Sequence, residues 1–61
     1  MDRHKWKYRI EFLEERTEHL NQWEIHFIAS LSKWLSEDKD LTMGQSFKLG
    51  EIFHRVVGEV G

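Results

Sequence analysis

Three stretches of this chain carry apolar residues at regular intervals, and two of them have the 3.6-residue period of an α-helix. In the middle stretch Phe27, Ile28, Leu31, Trp34 and Leu35 recur at i, i+1, i+4, i+7 and i+8. Asn21-Gln22-Trp23-Glu24 stands just before it and has the form of a capping box. The Asn21 side chain accepts from the amide three residues on, and Glu24 reaches back to the Asn21 amide. Leu20 and Ile25 flank the cap as a hydrophobic staple. This predicts a helix over about 21–37 that stops at the charged turn Glu37-Asp38-Lys39-Asp40. The last stretch repeats the logic. Thr42-Met43-Gly44-Gln45 is a second capping box, and Leu49, Ile52, Phe53, Val56, Val57 and Val60 follow on one stripe. The predicted helix runs from about 43 to 57 and frays toward Gly58 and Gly61. Gly44 and Gly50 weaken it by roughly 1 kcal/mol each against Ala; Gly50 is the position where another helix could come close.

The first stretch supports two readings. Trp6, Tyr8, Ile10 and Phe12 alternate with Lys5, Lys7, Arg9 and Glu11, which is the period of a strand. Trp6, Ile10, Leu13, Thr17 and Leu20 also fall on one helical stripe, and the Glu-rich run from Glu11 to Glu18 favours helix. A lone strand has no partner among helices. A helix over about 5–17 is therefore preferred, with a strand over 5–12 that pairs with a second copy as the alternative. The loops at Thr17–Asn21 and Glu37–Asp40 are short. The expected fold is all-α, a small helical hairpin or three-helix bundle forming a single domain over 1–61, with successive helices roughly antiparallel.

Size then limits stability. The chain has 61 residues and no cysteine. A domain of this length buries only about 60% of its unfolded surface, and neither disulfides nor a thiolate zinc site can supplement the core. Association, with itself or with a partner, is the remaining supplement; a homodimer is one expectation. Three Trp, four Phe and one Tyr argue against disorder. No apolar run is long enough for a membrane span, and no apolar segment follows the N-terminus, so neither a signal peptide nor a membrane partner is expected. A cytoplasmic location is the default, and a chain that starts with Met and carries no tag is expected to be a complete small protein.

The net charge of −2 is unevenly spread: residues 1–10 are basic, and 11–24 are rich in Glu. The basic-aromatic start, Arg3, Lys5, Trp6, Lys7, Tyr8 and Arg9, is a candidate nucleic-acid contact. Cations neutralise phosphates, and rings stack on unpaired bases. An acidic whole chain argues instead for an ordinary solvated helix face there. His4, His19, His26 and His54 lack the spacing of a metal site, so no metal or other cofactor is expected. Glu11, Glu14, Glu15 and Glu18 form no enclosed pair, and Ser30, Ser32, Ser36 and Ser46 have no nucleophile context. No catalytic residue is assigned, and the chain is read as a non-enzyme. Trp23, off the main apolar line of its helix, is a candidate interface anchor, as are Trp6, Phe47 and Phe53.

Trp23-Glu24-x-x-Phe27-Ile28-x-Ser30-Leu31, followed by Leu41-Thr42-x-x-Gln45-x-x-x-Leu49-x-x-Ile52-x-x-Arg55-Val56, resembles short helical modules of small phage and bacterial proteins, some of them linked to DNA replication or repair. The resemblance spans about residues 20–57 and implies no active site. It implies an accessory protein, in the host cytoplasm if phage-encoded, that binds a host or phage protein through a helical surface, with proteins of DNA metabolism among the candidates. Direct binding of single-stranded nucleic acid through the basic-aromatic start is the alternative.

Overall fold

The computed structural model describes residues 3–61, and Met1 and Asp2 lie outside the described residues. Three helices follow one another: α1 (Arg3–Glu14), α2 (Gln22–Ser36) and α3 (Met43–Val60), with a short 3-10 turn at Thr17–His19 between the first two. The described residues contain no strand. The expected all-α three-helix arrangement is therefore present, and the alternative strand over 5–12 is not.

The helix wins in the first stretch because its period separates residues that alternation would put together. Trp6, Ile10 and Leu13 are buried on one side of α1, whereas Tyr8 lies 61% exposed and Phe12 half-buried on another. The helix ends sooner than expected. Arg16 Nη1 donates to the Phe12 carbonyl at 2.9 Å and its guanidinium lies 3.8 Å from the centre of the Phe12 ring. This occupies the Phe12 carbonyl, and the Arg16 N–H turns instead to the Leu13 carbonyl at 3.0 Å, a tightened last turn. Thr17, placed on the buried stripe by the pattern, is exposed, and Leu20 is half-buried.

Both capping boxes form. Asn21 Oδ1 accepts from Glu24 N at 2.8 Å, and Glu24 Oε1 accepts from Asn21 N at 3.0 Å. Thr42 Oγ1 accepts from Gln45 N at 3.1 Å, with the reciprocal bond at 2.9 Å. Helix α3 continues to Val60 instead of fraying at Gly58.

The core is a column of Trp6, Ile10, Leu13, Ile28, Leu31, Leu35, Leu41, Leu49, Ile52 and Val56, with Phe12, Leu20, Phe27, Trp34 and Phe53 packed around it. The turn between α2 and α3 is pinned from two sides. Trp34 Nε1 donates to the Asp40 carbonyl at 2.7 Å. Arg3 pairs with Asp38 at 2.9 Å and donates to the Leu35 carbonyl. Asp38 adopts φ 64°, a left-handed conformation that Asp tolerates better than most residues. Gly50 is where α1 comes close: a Cβ there would lie 3.1 Å from Arg9 Nη1.

Candidate functional site

The surface that matters is set by which residues the three helices leave outside. Among the described residues the exposed large apolar side chains are Tyr8, Trp23, Met43, Phe47, Val57 and Val60. They fall on two sides of α3.

On the α2 side, Trp23 is 57% exposed. It sits in the first turn of α2 and stacks on Phe27, one turn further on, with ring centres 5.0 Å apart and planes 9° from parallel. Lys48 of α3 reaches to 5.6 Å from the Trp23 ring. The neighbouring residue Glu24 is buried and ties down the start of α2 from which Trp23 projects. Arg55 clamps the Glu24 carboxylate through two nitrogens, at 2.6 and 2.9 Å, and also donates to the His19 carbonyl at 2.8 Å. Glu59 joins from α3, 3.5 Å from Arg55 Nε and 3.1 Å from His19 Nδ1. The Arg55 guanidinium holds the Glu24 carboxyl below its ordinary range despite burial, and Glu24 in turn raises Arg55. The indole therefore stands on a backbone tied across two helices.

On the α1 side, Phe53 meets Phe12 and Tyr8 edge-on, with ring centres 5.2 and 6.1 Å apart. The Arg9 guanidinium lies 5.0 Å from the Phe53 ring centre. Met43 and Phe47, 89% and 68% exposed, extend this surface along the outward stripe of α3.

The expected anchors are thus separated. Trp6 is buried in the core and offers nothing to a partner. Trp23 is exposed on one side of α3. Phe47 is exposed and Phe53 half-buried toward the other. The basic-aromatic start is also dispersed, because alternate residues of a helix point about 200° apart. Arg3 is held by Asp38 and, at 3.7 Å, by Asp40. Arg9 lies against α3, whereas Lys5, Lys7 and Tyr8 are exposed. The sequence reading missed the Glu24–Arg55 clamp. Its signal was a Glu doing capping-box duty at the start of one predicted helix, with an Arg on the next.

A recess of about 330 Å³ opens between α1 and α2, floored by Ile10 and Leu35 and rimmed by Lys7, Glu11, Glu14 and Ser32. Glu11 and Glu14 are exposed there. Among the described residues, no group of three His, Cys, Asp or Glu side chains is placed to hold a metal ion, and no helix is long and apolar enough to cross a membrane. No protein-family model, curated protein or solved structure matches the chain.

Proposed function

We propose that this protein acts without chemistry of its own, by binding another protein through the aromatic surface where α2 meets α3. The observation that carries the reading is Trp23. A 61-residue chain short of apolar burial leaves an indole more than half exposed, stacked on Phe27 over a clamped helix start. A ring ordered before contact loses little entropy on binding, and Trp is the residue type that most often dominates interface energy. Lys48 beside the ring suits a carboxylate on the partner's rim. The resemblance of residues 20–57 to phage-type modules supports a host or phage protein as that partner, with proteins of DNA metabolism among the candidates.

Affinity capture from cells expressing the protein, with wild type and Trp23→Ala side by side, tests this. A protein retained by wild type and lost from the variant, with unchanged helical circular dichroism, supports the reading. Equal capture by both refutes it. Direct binding of single-stranded nucleic acid is the second reading. It has lost Trp6 to the core and Arg3 to ion pairs, and the remaining cations share α1 with Glu11, Glu14 and Glu15. An anisotropy titration with oligo-dT at low salt decides it, because phosphate contacts must weaken steeply as salt rises.

A further inference from the structure

We infer that the groove between α1 and α2, which α3 leaves open, docks an amphipathic helix of a partner protein. Two recesses make up this groove. The larger, about 330 Å³, has Ile10 and Leu35 as its floor. The smaller, about 110 Å³, is walled by Leu20, Ile25, Ile28 and Ala29. Glu14 lines both, and no residue of α3 lines either. An apolar cavity of about 150 Å³ takes a benzene ring. The smaller recess therefore suits one aliphatic side chain, and the larger has room for an aromatic one.

The recesses are spaced for a helix. Along α2 the smaller is lined by Ile25, Ile28 and Ala29, and the larger by Ser32, Leu35 and Ser36. Each residue of the first set has its counterpart seven positions on, a rise of about 10 Å and close to two turns. The second recess thus repeats the first along the helix axis. A partner helix lying in the groove fills both with apolar side chains at i and i+7.

The rim sets the partner's charges. Lys7, Glu11 and Glu14 follow on α1 at i, i+4 and i+7. Lys7 lines only the larger recess and Glu14 lines both, so the groove runs from cation to anions. Lys7 and Glu11 have the separation of a helical ion pair. Yet among the described residues Lys7, Glu11 and Glu14 make no ion pair, and the Ser32 hydroxyl makes no hydrogen bond. Ser30 and Ser36 on the same helix do bond back to carbonyls. The occupant that completes this rim carries an acid opposite Lys7 and basic residues opposite Glu11 and Glu14, beside its two apolar anchors. A polyanion would meet two carboxylates for one ammonium. Trp23 lines neither recess, so this surface stands apart from the aromatic one.

A yeast-displayed library of short helical peptides tests the inference, with wild type as bait and Ser32→Arg for counter-selection. The retained peptides are expected to share apolar residues at i and i+7, an acid at one end, and Lys or Arg facing Glu11 and Glu14. Ser32→Arg and Ala29→Arg, which block one recess each at positions already reached by water, should keep the helical spectrum and weaken a selected peptide about tenfold or more. Lys7→Glu should weaken it about fivefold, and a peptide with its acid changed to Lys should recover the loss. Trp23→Ala should bind as wild type does. A selection that yields no such peptide, binding indifferent to both Arg variants, a Lys7→Glu loss that the exchanged peptide does not recover, or loss in Trp23→Ala would each overturn the assignment. Amide NMR shifts at Glu14, Ala29 and Ser32 on concentrating the protein alone would overturn it too, by giving the groove to a second copy.

Discussion

Replacing Glu24 with Gln removes the charge from the junction of three structural elements while keeping the side chain's shape. The carboxylate accepts from Asn21 N, Arg55 Nη1 and Arg55 Nη2, and its side chain is 8% exposed against 42% for Arg55. Gln keeps one carbonyl oxygen, enough for the capping bond, but presents an NH₂ group where the second guanidinium contact was. Hydrogen bonds to charged groups contribute about 1.5–3 kcal/mol when buried. Arg55 is partly in water and can re-solvate, so the expected loss is nearer the low end, about 1–2 kcal/mol. Unfolding entropy of about 2.1 cal/mol/K per residue over 61 residues converts each kcal/mol to about 8 °C, so Tm should fall by about 8–16 °C at neutral pH. The pH dependence is the sharper check. Arg55 holds the folded carboxyl below its ordinary value of 4.5. The unfolded chain therefore takes up the proton first as pH falls. The stabilisation is whole above that value and decays as pH drops through the lowered folded-state value. Thermal melts followed by circular dichroism should show the gap between wild type and Glu24→Gln narrowing below about pH 4.5. A gap that is absent at neutral pH, or that persists unchanged into strong acid, would refute the account of the clamp.

Substitutions at four positions test the backbone reading. Ala at Gly44 or Gly58 meets nothing within 4 Å, and neither glycine has a positive φ. Each change should raise stability by up to about 1 kcal/mol in urea titrations, whereas Gly50→Ala, whose Cβ would lie 3.1 Å from Arg9 Nη1 and push it aside by a few tenths of an ångström, should gain less. Asp38→Gly should relieve the left-handed backbone at φ 64° while losing an exposed ion pair to Arg3 of small worth. The variant should be at least as stable as wild type, and a fall in Tm would show that the Arg3 tie matters more than the turn.

The helices were legible where sequence-local chemistry decides them. The boxes at Asn21–Glu24 and Thr42–Gln45 fix two helix starts through contacts between residues three apart, so they can be read without any tertiary knowledge. The first helix was not so clear, because Trp6, Tyr8, Ile10 and Phe12 satisfy alternation as well as a 3.6 period. Only the presence of α2 and α3 as packing partners for Trp6, Ile10 and Leu13 settles it. The end of α1 was missed for a related reason: Arg16 caps the Phe12 carbonyl from a distance of one turn, and a charged side chain folding back looks like any other helix-forming residue in the sequence.

The candidate surfaces were less legible, since exposure is a property of the neighbours and not of the residue. Trp6 and Trp23 are the same amino acid with opposite fates. Trp6 shares a stripe with Ile10 and Leu13, and the bundle closes over it. Trp23 is one position from Glu24, and Glu24 is the residue drawn inward by Arg55, thirty-one positions away. Since adjacent helical residues point about 100° apart, burying Glu24 turns Trp23 toward the rim of α2. A buried carboxylate is thus what places an aromatic ring in water. The clamp and the proposed binding surface are consequently one device, and loosening the first should blunt the second: Glu24→Gln should weaken partner capture under conditions where it remains folded, although it touches no part of the exposed indole. Capture by folded Glu24→Gln at wild-type strength would separate the two and leave Trp23 to stand on its stacking with Phe27 alone.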